Sequence, residues 1–243
     1  MIPCPQCGRA NAATATTCGI CRALLSPPKL SPKPPAVSLR VVRADGGPEA
    51  VVVMRGEQLR CGKRGDLAFA DDPFVADIQM KLFFSGGHLA VQDVGGGNGT
   101  FLRLRDAREL SPKGELRVGR QRLILEPLPP ARPGPGGTLA WGSPDDGATF
   151  RLLQRYEGGV VGNAFMLKPG TTTIGREAGD ITFPQDGFVS GRHAALDVKE
   201  GHVMVRDLGS SNGTFVRLTS PTRVASGDQF LVGRQLVRVE IRG

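Results

Sequence analysis

Two sets of side chains in this sequence have the types and spacing for chemistry. The first is Cys4-Pro-Gln-Cys7 with Cys18-Gly-Ile-Cys21, two C-x2-C pairs separated by ten residues. Each pair places two thiolates on one tight turn whose backbone amides can donate to sulfur, and two such turns face to face complete a tetrahedron. The set fits one structural Zn2+ held by Cys4, Cys7, Cys18 and Cys21, because four sulfurs leave no open coordination position for catalysis. A disulfide pair and a redox C-x-x-C are the competing readings. The lack of a secretory leader argues against the first, and the lack of a surrounding βαβ pattern against the second. So short a segment cannot bury a core alone, so the metal would supply its folding energy.

The second set is spread over three turns: Gly175-Arg176, Ser190-Gly191-Arg192-His193 and Ser211-Asn212-Gly213-Thr214. Together they are a kit for holding an anionic group. Arg176 offers a planar fork to phosphate-like oxygens, which lysine reproduces poorly. Ser190 can donate its hydroxyl to another oxygen, with Arg192 as a second cation. Asn212 is both donor and acceptor, and Ser211 beside it carries a hydroxyl. Gly175, His193 and Gly213 read as structural at the site, Gly213 because its turn excludes a Cβ. Each fragment is common by itself, and only the ordered combination carries weight. No nucleophile–base pair, open metal site or nucleotide-binding glycine loop accompanies these turns, which disfavours an enzyme.

The elements that must position these turns repeat. Asp66, Phe69, Asp72, Phe74 and Val75 match Asp180, Phe183, Asp186, Phe188 and Val189; Gly95, Asn98, Gly99, Thr100 and Phe101 match Gly209, Asn212, Gly213, Thr214 and Phe215, all at an offset of 114 residues. Val118-Gly119-Arg120-Gln121 matches Val232-Gly233-Arg234-Gln235 at the same offset. A constant offset over so many matches indicates duplicated domains. Short Val- and Leu-rich segments between Gly or Pro turns read as strands, among them Arg151–Tyr156, His202–Asp207 and a single long one over Gln229–Ile241. No stretch has helical periodicity with caps. The expected fold is all-β: two β-sandwiches in tandem behind a small zinc ribbon. The boundaries read as 1–25 for the ribbon, 26–37 for a Pro-rich linker, 38–127 for the first domain, 128–150 for a Pro/Gly-rich linker and 151–243 for the second domain. Trp141, the sole tryptophan, falls in the second linker.

In the second repeat these motifs, taken together, resemble the signature of forkhead-associated (FHA) domains, and the resemblance extends over both repeats. It implies β-sandwiches that recognise phosphothreonine peptides through loops at one end, with Arg176, Ser190, Arg192, Ser211 and Asn212 on the peptide. Gly191 departs from the family's usual Asn or Arg. In the first repeat Ala76, Asp77, Ile78 and Gln79 replace Ser190, Gly191, Arg192 and His193, Lys63 stands for Arg176, and Gly97 stands for Ser211. An acid beside a phosphate position, without the hydroxyl or the fork, implies a site that does not bind by the family mode.

The resemblance implies a non-enzymatic signalling adaptor whose partner is a phosphothreonine-containing protein, either a Ser/Thr kinase or its substrate. The alternative is a nucleic-acid-associated or purely structural scaffold using the ribbon and the basic N-terminal segment. Half of the net charge of +8 lies in residues 1–37, which contain no acid. A zinc tetrathiolate carrying about −2 would halve that excess, and the ribbon lacks aromatics for base stacking, so nucleic acid is disfavoured. No apolar run spans a bilayer, and the expected compartment is the cytoplasm. Cys61, the fifth cysteine, is expected to be buried and inert.

Overall fold

The computed structural model describes residues 1–23, 25, 35–42, 49–130, 132–144 and 146–242. Most of the Pro-rich linker lies outside the described residues. The chain divides into two compact units, Met1–Pro35 and Ala36–Arg242. In the first unit β1 (Ile2–Pro3) and β2 (Ala10–Asn11) form a two-stranded ladder. Leu25 packs against Cys4 and Cys18 there, too little apolar surface to fold without a cross-link.

The regular structure of the second unit is almost entirely strand. The first repeat supplies β3 (Ala36–Val42), β4 (Val51–Val53), β5 (Gln58–Gly62), β6 (Leu67–Ala68), β7 (Met80–Ser85), β8 (His88–Asp93), β9 (Thr100–Arg103), β10 (Arg108–Glu109), β11 (Glu115–Val118) and β12 (Gln121–Pro127). The second supplies β13 (Phe150–Arg155), β14 (Val161–Leu167), β15 (Gly170–Gly175), β16 (Ile181–Thr182), β17 (Ala194–Lys199), β18 (His202–Asp207), β19 (Thr214–Arg217), β20 (Thr222–Arg223), β21 (Gln229–Val232) and β22 (Gln235–Arg242). The segment expected as one strand over Gln229–Ile241 is a hairpin. Gly233 reverses it with φ +60°, a conformation that costs a glycine little.

The two repeats are not separate sandwiches. One ten-stranded sheet runs β14-β13-β12-β11-β19-β9-β21-β22-β3-β4, and a five-stranded sheet covers each half of it. The hairpin β11–β12 of the first repeat lies between β13 and β19 of the second, and β21–β22 of the second lies between β9 and β3 of the first. The exchange extends to the short strands, since β10 joins β18 and β20 joins β8. The chain crosses over directly after β9 and β19, where Leu104 N donates to Thr214 O and Leu218 N to Thr100 O. Each hydrophobic core is therefore composite. Leu110, Leu116, Leu123 and Leu125 of the first repeat are buried with Leu152, Leu167, Ile174 and Leu196 of the second. Phe230, Val232, Val237 and Val239 of the second are buried with Leu39, Leu59, Met80 and Leu82 of the first. At roughly 1.5–3 kcal/mol for each fully buried aliphatic side chain, the donated hairpin contributes on the scale of a whole domain's net stability.

This corrects the expected division at 38–127 and 151–243. Stretch 128–150 is likewise no tether between two bodies: Pro127 pairs with Phe150 across adjacent antiparallel strands, so it is a long loop within one sandwich. Trp141 in that loop is fully exposed. Cys61 is buried in the other core, where desolvation pushes its thiol up to about 12, as expected of an inert cysteine. Cutting the chain once within 132–144 is expected to leave both fragments in one particle of unchanged mass by sedimentation, separating only in denaturant. Two independently migrating fragments would show that the hairpins are not exchanged.

Candidate functional site

The three turns of the second repeat meet at one end of its sandwich. Gly175 ends β15 where the backbone of the Ser190–Gly191 turn crosses it. A Cβ there would lie 2.1 Å from the carbonyl oxygens of both Ala178 and Gly191, so only glycine fits. The crossing is fixed by Arg176 N donating to Ser190 O at 2.9 Å. Ser190 Oγ accepts from Ser211 N at 3.1 Å. With one lone pair engaged, the hydroxyl proton is free to point away from the protein toward an anion. Arg176 is partly exposed and its guanidinium forks onto Glu177, with Nε at 2.9 Å and Nη2 at 2.8 Å from Oε1. Glu177 is itself 69% exposed, so the pair is weak and a doubly charged phosphate can displace it.

His193 is a positioning residue. It is fully buried, its Nδ1 accepts from Ser190 N at 3.0 Å, and its Nε2 lies 3.1 Å from Gly213 O. An acceptor at Nδ1 requires the tautomer with hydrogen on Nε2, so one neutral ring ties the Ser190 turn to the Asn212 turn. Desolvation by burial holds its pKa below 6.5. Asn212 donates Nδ2 to Phe188 O at 2.9 Å, so half of its amide braces the loop, and its Oδ1 accepts no hydrogen bond among the described residues. Arg192 is exposed and has no partner among the described residues.

Some residues that matter here did not stand out in the sequence. Asp207 receives the hydroxyls of Ser210 and Thr214, each at 2.7 Å. Burial opposes its charge, but those hydroxyls and the amides of Ser210 and Gly209 hold its carboxyl below the ordinary range. Asp186 is buried; its Oδ1 accepts from Phe188 N at 3.0 Å, and its Oδ2 accepts Arg120 N at 2.8 Å and Gln121 Nε2 at 2.7 Å. The turn of the exchanged hairpin thus docks on the loop that leads into Ser190. Gly119 in that turn has φ +58°, and a Cβ there would come within 2.7 Å of Val189 Cγ2. The signal was the second copy of each motif, Asp72 with Val232-Gly233-Arg234-Gln235, where Arg234 N reaches Asp72 Oδ2 at 2.8 Å.

In the N-terminal unit the four expected sulfurs converge, all within 4.8 Å of one another. Cys4 and Cys21 are 3.4 Å apart and Cys7 and Cys18 3.7 Å apart. Four thiolates on a zinc ion at about 2.3 Å would sit roughly 3.8 Å apart, so the cluster fits a tetrahedral metal. The backbone amides of Cys21 and Ile20 lower the Cys18 thiol to about 6, while against the Ala23 amide the Cys4 sulfur pushes Cys21 up to about 12.

A family model described as the FHA domain matches residues 172–233. An "Oxoglutarate dehydrogenase inhibitor" of Corynebacterium diphtheriae is 36% identical over 113 residues, 44% of this chain and 78% of that protein. The chain belongs to the FHA-domain family. A "Glycogen accumulation regulator GarA" of Mycolicibacterium smegmatis is 35% identical over 85 residues, 34% of this chain and 54% of that protein. A solved structure described as a "structural and functional analysis of phosphothreonine-dependent FHA domain interactions" aligns at 26% identity over 38% of this chain and 98% of that chain, with a TM-score of 0.24.

The first repeat keeps the bracing and lacks the Ser190 hydroxyl and the Arg176 fork. Lys63 N donates to Ala76 O at 2.9 Å, which places Lys63 in the Arg176 position. Arg64 beside it faces Asp77 at 3.7 Å. Gln79 does the work of His193 at the loop, accepting from Ala76 N at 3.2 Å, but turns its amide to Asp93 Oδ1 at 2.9 Å. Asn98 Nδ2 still braces Phe74 O at 3.0 Å. No hydroxyl replaces Ser190 at Ala76.

A prediction for His193 follows from its depressed pKa. The neutral ring is favoured in the folded state, so its contribution is present above pH 6.5, the unfolded value, and is lost as pH falls from there toward the folded pKa. His193→Gln, which copies the arrangement at Gln79, is expected to fold and to flatten that dependence. Thermal unfolding of both proteins from about pH 7.5 to about pH 5 checks this: the wild type should lose stability relative to the variant as pH falls. Parallel curves would contradict the assignment.

Proposed function

We propose that this protein is a non-enzymatic signalling adaptor that binds a phosphothreonine peptide through the second FHA repeat. The observation that carries this reading is the Ser190 hydroxyl, oriented by the Ser211 amide at 3.1 Å next to the Arg176 fork. Arg176, Ser190 and Asn212 then provide a charge-assisted clamp, a neutral donor and a backbone acceptor on one rim. Arg192 and Ser211 flank them. Gly175, His193 and Gly213 hold the three turns in place. The partner on this reading is a protein phosphorylated by a Ser/Thr kinase, or the kinase itself. The first repeat, with Ala76 and Asp77 in place of Ser190 and Gly191, serves the fold rather than phosphate recognition.

The N-terminal unit, on the same reading, holds one structural Zn2+ through Cys4, Cys7, Cys18 and Cys21. Zinc would fix the turn that the few apolar contacts around Leu25 cannot.

Two measurements test these readings. Fluorescence anisotropy should find phosphothreonine peptides that bind wild type, lose binding when unphosphorylated, and bind Arg176→Ala roughly 10- to 100-fold more weakly, the cost of a charge-assisted fork. Equal affinity for wild type and variant would remove the phosphate-reading function. For the metal, titration with a mercurial thiol reagent should release one zinc per chain and open residues 1–25 to protease. Release of no metal from protein purified without chelator would refute the zinc site.

A further inference from the structure

The hairpin that the first repeat donates brings more than strands to the second repeat's binding face. Its turn carries Arg120, whose guanidinium sits 4.7 Å from the centre of the Phe188 ring. Phe188 is two residues before Ser190 and half exposed, and its carbonyl is the one that Asn212 braces. A second arginine of the first repeat, Arg103, lies under the other side of the site. A Cβ on Gly213 would come within 2.3 Å of Arg103 Nε.

The pseudo-symmetric copy provides a control within the same molecule. At the first repeat's face the counterparts are Arg234, 4.5 Å from the Phe74 ring, and Arg217, against Gly99. Arg217 is neutralised there, whereas Arg234 makes only a loose pair between exposed side chains. Arg234 faces Glu157 at 3.7 Å, and Arg217 pairs with Glu115 and with Asp93 at 3.7 Å. At the second repeat's face neither counterpart has an ion pair among the described residues. Arg103 meets the neutral Gln229 at 2.8 Å, and the Arg120 guanidinium meets no carboxylate among the described residues. The carboxylate nearest to that turn, Asp186, is buried with both oxygens engaged by Phe188, Arg120 N and Gln121. The face that keeps the phosphate donors is thus the one at which Arg120 and Arg103 form no ion pair among the described residues.

Beside Arg120 an open cleft of about 360 Å³ runs between Tyr156 and Gln154 on one side and Pro184 and Asp186 on the other. It borders the loop 183–188, which leads directly into Ser190.

We propose that Arg120 and Phe188 form a subsite for an acidic side chain of the bound peptide, so that the first repeat supplies part of the second repeat's specificity. The inference rests on the phosphopeptide reading above and deepens it. A guanidinium stacked on a ring keeps its edge N–H groups free for a carboxylate. Two residues of extended backbone reach about 7 Å, which places the acidic position roughly two to four residues from the phosphothreonine. Arg103 adds to the positive field under the same turns.

The test uses the full chain and a phosphothreonine peptide library with the flanking positions randomised, followed by single peptides with and without the selected acid. Wild type is expected to select Asp or Glu at one flanking position, and removing that acid should weaken binding roughly two- to fivefold, the scale of one exposed ion pair. In Arg120→Gln that preference should vanish while dependence on the phosphate and on Arg176 remains. Arg234→Gln, the matching change on the first repeat's face, should leave the preference intact. Thermal unfolding checks that both variants are folded. Selection of an apolar residue at that position, or an acid preference unchanged in Arg120→Gln, overturns the subsite and leaves the phosphate reading standing. If no peptide binds in an Arg176-dependent way, the phosphate reading fails and the subsite fails with it.

Discussion

The architecture depends on one antiparallel pairing, that of Thr100–Arg103 with Thr214–Arg217. Val216 lies opposite Leu102, with Phe215 opposite Arg103 and Arg217 opposite Phe101. Because the repeats differ by 114 residues, these are two copies of the same strand facing each other about a local two-fold axis. Had each repeat closed on itself, both strands would pair with their own hairpins along separate sheets. By pairing with each other they become the middle of a ten-stranded sheet, and the chain leaving each strand is already on the far side of the axis. The exchange of everything downstream follows from that crossing.

A second layer of control is polar. Each donated hairpin is locked by one buried carboxylate, Asp186 for the turn at Arg120 and Asp72 for the turn at Arg234. An aspartate buried this way is stabilising only while its donors are present, and here the donors come from the other repeat. The loop carrying Asp186 is also the loop that presents Ser190, so the order of the binding rim depends on a turn over sixty residues earlier in the chain. The buried Glu115, which bridges Arg122 and Arg217, strengthens the same junction on one side of the axis. Its counterpart Gln229 makes a neutral contact instead, so the two faces differ in field as well as in donors.

Much of this was legible from residue types and spacing. The cysteine spacing predicts four converging sulfurs, and they converge. The turns at Arg176, Ser190 and Ser211 lie together, joined by Arg176 N to Ser190 O and by Ser211 N to Ser190 Oγ. The structural role of His193 was readable because no nucleophile or metal ligand accompanies it, and the ring indeed bridges two turns. The exchange was not legible, for a physical reason. Val118-Gly119-Arg120-Gln121 and Val232-Gly233-Arg234-Gln235 are the same key, and Asp72 and Asp186 are the same lock, so local chemistry cannot distinguish a repeat's own hairpin from its neighbour's. The partner is decided by the pairing at Leu102 and Val216, which no local pattern marks. The contribution of Arg120 to the second face was hidden for the same reason, since it belongs to that face only after the exchange.

The outer end of the long sheet has a temporal consequence. Ala36–Val42 pairs with Gln235–Arg242 over its whole length, and Arg40 is bound to Glu240 at 2.7 Å, two hundred residues away. On a ribosome Ala36–Val42 emerges long before its neighbour Gln235–Arg242, and contacts so distant along the chain are slow to form. While it waits, the newly made Glu115–Pro127 segment carries a turn that fits Asp72, so a closed single-repeat sandwich is open to the nascent chain. The second half would have to displace it. A protein assembled in this way is vulnerable to arrested translation in a manner that a row of independent domains is not: the truncated product would be a compact body holding a borrowed part that belongs elsewhere.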